Sequence, residues 1–477
     1  MDASTPSAPP AVHRAVVLGA SLTGMLAAAV LAQYAREVVV VDRDELPADA
    51  APRPGLPQAH HAHLLWSGGE RAIEELAPGM RREWLDAGAR YAAMPDSLIM
   101  LTPHGWVRRG DQAMQHQIVC SRDLLDATAR GFLLSRPGIT VRTGGYAYGL
   151  IGGPARVTGV RVRDLATGAV EDVLADLVVD TTGRRSHAPQ WLTAIGLPQV
   201  TETTVDPGLV YASRWYRAPD WAEDFPVISL QPDPGKPLPG RAATLLPVEG
   251  GRWLVTLAGT RGAEPGIDPD AFEAYARTAP HPIVADLIAG AEPLSKVRLN
   301  RGCSNRRRYY ERLRQWPAGF VILGDAVAAT NPIYGQGMTI GAQGVRVLRD
   351  VLRKRGLADA RLSSTVQRRI GRLVQAPWDI TTGQDIRFPG ATGPKAPLAG
   401  RMTHLYVDRL SRTAMSSEAV MRTLFDVMSL DAAPTALFRP GIVKQVIQGP
   451  PGRALTEPPL TAAERAHLYP APTPAGA

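Results

Sequence analysis

The feature that most limits how this chain can fold lies at its start. Ala15-Val16-Val17-Leu18 is a short apolar run without polar alternation, the mark of a strand buried on both faces. It ends in Gly19-Ala20-Ser21-Leu22-Thr23-Gly24. An Ala- and Leu-rich stretch of helical character follows from Met25 to Ala35, and a second apolar run, Val38 to Val41, closes on Asp42. Strand, glycine turn, helix, strand and acid fall in register as one βαβ unit. This is the dinucleotide-binding pattern with Ser21 in place of the middle glycine. Gly19 permits the tight turn out of the strand. Position 21 must be small so that the backbone can approach a pyrophosphate, and Gly24 lets the helix lie close on the strand. The helix N-terminus offers free N–H groups and a partial positive charge to phosphates. Asp42, 18 residues beyond Gly24, is placed to accept from an adenosine ribose, with Arg43 beside it as a further contact. This pattern by itself means a nucleotide, and NAD(P) and FAD both use it.

After this unit the regular βαβ alternation stops, which argues against a plain dehydrogenase. Val157 to Val162 alternates, Ala166-Thr167-Gly168 is a turn signal, and further strands are expected at Val170–Val173 and Leu177–Val179. The reading is a β-meander ending in Asp180-Thr181-Thr182-Gly183-Arg184-Arg185-Ser186. Upstream, Ser121 is a candidate N-cap for a helix that opens with Arg122. Far downstream, Gly319 to Leu323 is another buried-strand run. It ends in Gly324-Asp325, followed by a loop to Ile333 and then Tyr334-Gly335-Gln336-Gly337-Met338-Thr339 leading into a helix. Gly335 and Gly337 remove side chains where a planar ring could lie on the backbone. The N–H groups of Gly337 and Met338, at a helix start, could face negative charge.

These three segments, in this order, resemble the class A FAD-dependent monooxygenases of the p-hydroxybenzoate hydroxylase superfamily. Within it the chain is similar to bacterial polyether epoxidases of the monensin and lasalocid type, on the stretches Pro54 to His63, Asp180 to Gly183, Tyr211 to Arg217 and Asn331 to Thr339. The resemblance implies a glutathione-reductase-type, mixed α/β FAD-binding fold with an inserted β-sheet substrate domain and a helical C-terminal region. It implies FAD held by Gly19, Ser21, Gly24, Asp42, Arg43, Arg122, Asp325, Pro332, Gly335, Gly337 and Met338. In that setting Arg122 reaches the ribityl-phosphate region, Asp325 bonds a ribityl hydroxyl and Pro332 lies beside the isoalloxazine. Two departures matter: Ser21 breaks the strict glycine pattern, and Thr182 stands where aromatic hydroxylases carry the Asp of a DG dipeptide.

On this basis residues 11–197 form the first part of the FAD domain, with a flavin-covering loop near 48–66 whose Pro- and Ala-rich start is mobile. Residues 198–300 form the substrate sheet, 301–352 the last part of the FAD domain, and 353–477 a mainly helical region with a frayed tail. Ala242–Leu246 and Trp253–Ala258 read as a hairpin about Glu249-Gly250-Gly251. Trp215 and Trp253 are the candidates for lining the pocket, and Arg306 to Tyr310 reads as a solvated turn. His60, His61 and His63 have no cysteine or carboxylate at ligand spacing, so a loop over the flavin is expected rather than a metal site.

The net charge of +8 rests almost wholly on scattered arginines, with five lysines in 477 residues. No basic tract points to nucleic acid. Two cysteines cannot build a disulfide framework, Met1 to Pro10 has no signal-peptide pattern, and no apolar stretch suits a membrane span. A cytoplasmic enzyme is the expectation, taking a small hydrophobic substrate, O2 and NAD(P)H. The resemblance implies a flavin C4a-hydroperoxide as oxidant. An isolated alkene needs no base, whereas a phenol does. No Asp, Glu or His of the expected floor stands out for that task, so epoxidation of a polyketide or terpenoid alkene is favoured over aromatic hydroxylation. An FAD-linked double-bond reductase and a flavin carrier without turnover are the further rivals. A flavin halogenase is disfavoured by the absence of a WxWxIP motif and of any lysine before Lys236.

Overall fold

The computed structural model describes residues 13–470 apart from 111, 223 and 395–397. The expectation for Met1 to Pro10 therefore lies outside the described residues, as does most of the 470–474 tail. The apolar runs at Arg14–Leu18, Glu37–Val41 and Phe320–Ile322 form strands as read. A five-stranded parallel sheet takes the order Phe320–Ile322, Leu177–Asp180, Arg14–Leu18, Glu37–Val41, Ile139–Arg142. The helix Leu22–Leu31 is apolar all round and almost wholly buried, lying between this sheet and the helices Arg122–Leu134 and Gly337–Arg355.

Three sequence readings change. The antiparallel meander is Gly145–Gly152, Val157–Asp164 and Val170–Leu174, and it ends before Asp180. Leu177–Asp180, buried at every position, leaves it and joins the parallel sheet beside the first strand. The substrate sheet is not confined to 198–300. Its seven strands run Arg298–Asn300, Val210–Arg217, Arg252–Gly259, Arg241–Val248, Val227–Leu230, Leu98–Thr102, Gly105–Trp106, so two come from inside the first FAD segment. The boundary at 352 falls within a helix, Gly337–Arg355. The next helix, Leu362–Leu373, packs on it and sends Leu362, Val366 and Ile370 into the FAD-domain core.

The expected hairpin is present, with Val248 opposite Arg252 and Gly250 and Gly251 both at positive φ. Two polar segments are more ordered than their composition suggests. Asn305–Arg308 is a strand, and Arg307 is 1% exposed, donating to Glu311, Gln375 and the Gly371 carbonyl. The Pro-rich 450–459 segment is docked: Leu455 bridges to Trp106, and the carbonyls of Arg453 and Pro459 accept from Arg108 and Arg109. Among the described residues no helix is long and apolar enough to cross a membrane.

Candidate functional site

A cavity of about 600 Å³ lies between the parallel sheet and the seven-stranded sheet. The three sequence segments meet in its wall: Gly19 and Ser21 from the first turn, Asp42 and Arg43 from the end of the second strand, and Asp325, Pro332, Gly335, Gly337 and Met338 from the third. Arg122 joins them. Gly24 does not line the cavity. A Cβ there would lie 1.8 Å from the Gly19 carbonyl oxygen and 2.7 Å from Thr181 Oγ1, so this glycine serves the close packing of helix on turn. The Thr181 hydroxyl donates to the carbonyls of Leu18 (2.7 Å) and Gly19 (3.0 Å), tying the second segment to the first.

At the nucleotide end the charges form a closed network. Asp42 Oδ2 accepts from the Ala20 N–H (2.6 Å) and from Arg53 (3.2 Å), while Oδ1 accepts from the Asp44 N–H (2.9 Å). A carboxylate offers about four acceptor sites, so Asp42 keeps about one for a ribose. Arg53 also reaches the Ala20 carbonyl and Asp126, which in turn accepts from Arg122 at 3.0 Å. The loop near 48–66 is thus tethered at Arg53, a residue that no sequence pattern singled out. Arg43 is half-exposed, 3.9 Å from Asp44. Ser121 caps its helix as expected, accepting from the Leu124 N–H.

Thr182 spends its hydroxyl and its N–H on Asp180 (2.6 and 2.9 Å), which also accepts from Ser186 at 2.5 Å. Burial raises Asp180 above the usual carboxylate range. Asp325 differs. Its carboxylate opens into the cavity, has no hydrogen-bond partner among the described residues, and is raised by desolvation against the pull of Arg184 and Arg122. Gly335 takes a left-handed φ of 65°, and the 19-residue helix starts at Gly337 with its N–H groups beside the cavity wall.

Two helix N-termini, an unpartnered carboxylate and a buried, unpaired Arg53 Nε converge on one cavity. This donor and acceptor set fits FAD.

The opposite wall is the seven-stranded sheet. Strand side chains alternate faces. Leu98, Met100, Val227, Ser229, Ala242, Thr244, Thr256, Ala258 and Tyr211 line the cavity, and none carries a charge. Trp253 is out of phase with Thr256 and Ala258. It points to the other face, among Phe272 and Ile283. Trp215 shares the face of Tyr211 but lies beyond the cavity, under the Arg252 guanidinium at 4.8 Å. Neither tryptophan lines the cavity, and aliphatic and hydroxyl side chains with Tyr211 make the floor instead.

The histidines approach from the covering loop. His61 Nδ1 is 2.8 Å from Ser213 Oγ, which is 2.6 Å from Thr256 Oγ1. His63 Nδ1 is 2.8 Å from the His61 carbonyl. Burial lowers His61 to about 4, helped by His60, and His63 to about 3, helped by Arg122. Both are neutral imidazoles on the cavity wall. The histidines lie in the covering loop as expected, and the loop delivers His61 to the floor strands, which carry no histidine of their own.

Fold and site together define an FAD-binding protein. The FAD binding domain family matches residues 13–369. Protein Rv3254 of Mycobacterium tuberculosis is 32% identical over 399 residues, covering 80% of this chain and 82% of that one. Two solved structures share the fold. One is p-nitrophenol 4-monooxygenase PnpA of Pseudomonas putida DLL-E4, with 16% identity, TM-score 0.61 and coverage of 88% and 98%. The other is PqsL of Pseudomonas aeruginosa, solved in complex with 2-aminobenzoylacetate, with 17% identity, TM-score 0.55 and coverage of 79% and 98%. The chain belongs to the FAD binding domain family and is a flavoprotein.

Proposed function

We propose that this flavoprotein takes electrons from NAD(P)H, transfers one atom of O2 to an alkene of a hydrophobic polyketide or terpenoid as an epoxide, and releases the other as water. FAD supplies oxygen activation when bound. The N–H groups of Gly337 and Met338 would hold its pyrimidine edge, and Asp325 its ribityl chain. The chain's own task is then to align a substrate and exclude water.

The observation that carries this reading is the floor. From Leu98 to Tyr211 it crosses five strands, about 19 Å at about 4.8 Å per spacing. Ala242 and Ala258 leave room along it, Ser229, Thr244 and Thr256 offer hydroxyls, and none of its own side chains is ionised. Such a surface suits a long neutral molecule and gives an anionic one no partner. The second reading, hydroxylation of an aromatic ring, is favoured by His61. It is a neutral imidazole on the same cavity with hydroxyl partners behind it, and could take a phenol proton.

The test is direct. The purified chain should show a bound-flavin spectrum. With NADPH, a neutral polyene and 18O2 it should give a product 18 mass units heavier, that is, one labelled oxygen, with no hydroxyarene. A labelled phenol product from aromatic substrates alone would favour the second reading. Product formed without O2 would overturn both.

A further inference from the structure

The segment expected to face the isoalloxazine, Pro332 to Met338, is held from a part of the chain that the motifs do not reach. Asp385 ends the helix Gln375–Asp385 and is 1% exposed. Its Oδ2 accepts from Asn305 Nδ2 (2.6 Å) and Asn331 Nδ2 (2.8 Å), and its Oδ1 from the Tyr334 hydroxyl (2.9 Å). Its neighbours fix the direction of these bonds. Asn331 Oδ1 accepts from the Ile333 N–H (3.1 Å) and from the Tyr211 hydroxyl (3.0 Å), so its amide nitrogen must point at Asp385. Asn305 Oδ1 accepts from the Asn331 N–H (2.7 Å), which likewise turns its amide nitrogen to Asp385. Two N–H donors of fixed orientation therefore require an acceptor at position 385.

What they hold is specific. Asn331 caps the short turn Pro332–Tyr334, and Tyr334 is its last residue before Gly335 turns left-handed into the long helix. Tyr211, on the cavity wall, hangs from the same asparagine. We infer that Asp385 is a positioning residue of the flavin site, setting the Asn331–Gly337 turn against the cofactor and, through Asn331, the Tyr211 hydroxyl on the substrate wall. The helical region after the FAD-domain core then completes the site.

Buried donors left without an acceptor are costly, while a replacement that keeps an acceptor in place is tolerated. Asp385→Leu, in the full chain, should weaken FAD binding by at least about tenfold and shift the visible bands of the bound flavin. Asp385→Asn keeps one carbonyl oxygen for the two amides and can donate to Tyr334, so it should recover most of the affinity. Thr381→Val, in the same helix but bonded only to the Pro377 and Trp378 carbonyls, should leave flavin binding and spectrum as they are. Asn331→Asp faces a second carboxylate against Asp385 and should weaken binding, and Asn331→Asp with Asp385→Asn, which removes one of the two charges, should recover part of it, a coupling that survives even if the leucine variant does not fold. Wild-type affinity and bands in Asp385→Leu would overturn the inference. So would equal loss in Thr381→Val, or a double variant as weak as its two single changes combined.

Discussion

Nδ1 of His61 and Oγ of Ser213 lie 2.8 Å apart across 152 residues of sequence, joining the covering loop to the floor of the substrate sheet. Burial holds His61 at about 4 and His63 at about 3, against about 6.5 in an unfolded chain. Between these values the unfolded chain binds protons that the folded chain refuses. The stability tied to both residues is therefore complete above pH 6.5 and falls as pH drops toward 4, by at most about 1.4 kcal/mol per pH unit for each histidine. His61→Asn keeps a partner for Ser213 and removes one titration. Urea unfolding at pH 7.5 and pH 5 should show a smaller pH-dependent loss in the variant, and an unchanged loss would count against a neutral His61.

Ala258 leaves space where Thr256 and Ala242 border the floor. Ala258→Phe should fill it without touching the nucleotide end. Uptake of the neutral polyene diphenylhexatriene, read by its fluorescence in the flavin-loaded protein, should fall by about tenfold or more while flavin occupancy stays the same. Trp253→Phe, on the opposite face, should leave uptake unchanged. The reverse ranking would mean that the floor has been assigned to the wrong face.

The strands Arg14–Leu18, Glu37–Val41 and Phe320–Ile322 were legible because each carries an uninterrupted apolar run. Tertiary partners decided the rest. Trp253 reads as a pocket aromatic until the strand register sets its phase against Thr256. Arg53 and Asp385 are single polar residues in segments without a motif, and their roles exist only once Asp42, Asn331 and Tyr334 are brought to them. Leu98–Thr102 could not be given to the substrate sheet from sequence, since its parallel partner Val227–Leu230 lies more than a hundred residues on.

The Arg306–Tyr310 segment looked solvated because it is charged, yet Arg307 is buried with its charge matched by Glu311 and its terminal N–H groups also given to Gln375 and the Gly371 carbonyl. Removing one member of such a pair leaves an uncompensated charge. Arg307→Met should destabilise the protein by about 3–5 kcal/mol in urea unfolding, and adding Glu311→Gln should recover part of that. A loss below about 1 kcal/mol would restore the picture of a solvated turn.

The glycine turn that defines the fold gives the sharpest contrast between two like substitutions. Gly24 lies on the helix Leu22–Leu31, where a Cβ would meet the Gly19 carbonyl oxygen at 1.8 Å, and the turn cannot give way because Thr181 holds the Leu18 and Gly19 carbonyls. Gly344 lies on the helix Gly337–Arg355, and a Cβ there would find only Ile370 Cδ1 at 3.4 Å and Leu323 Cδ2 at 3.9 Å, ordinary contacts. The same change should therefore have opposite signs. Gly24→Ala should cost about 3 kcal/mol or more and displace the turn, so that the purified protein loses its flavin colour. Gly344→Ala should gain about 0.5–1 kcal/mol from helix propensity and keep it. Paired urea melts and flavin absorbance on the two variants decide the matter: equal effects would mean that the turn is not held by Thr181, and that the first segment binds its nucleotide with more freedom than its packing allows.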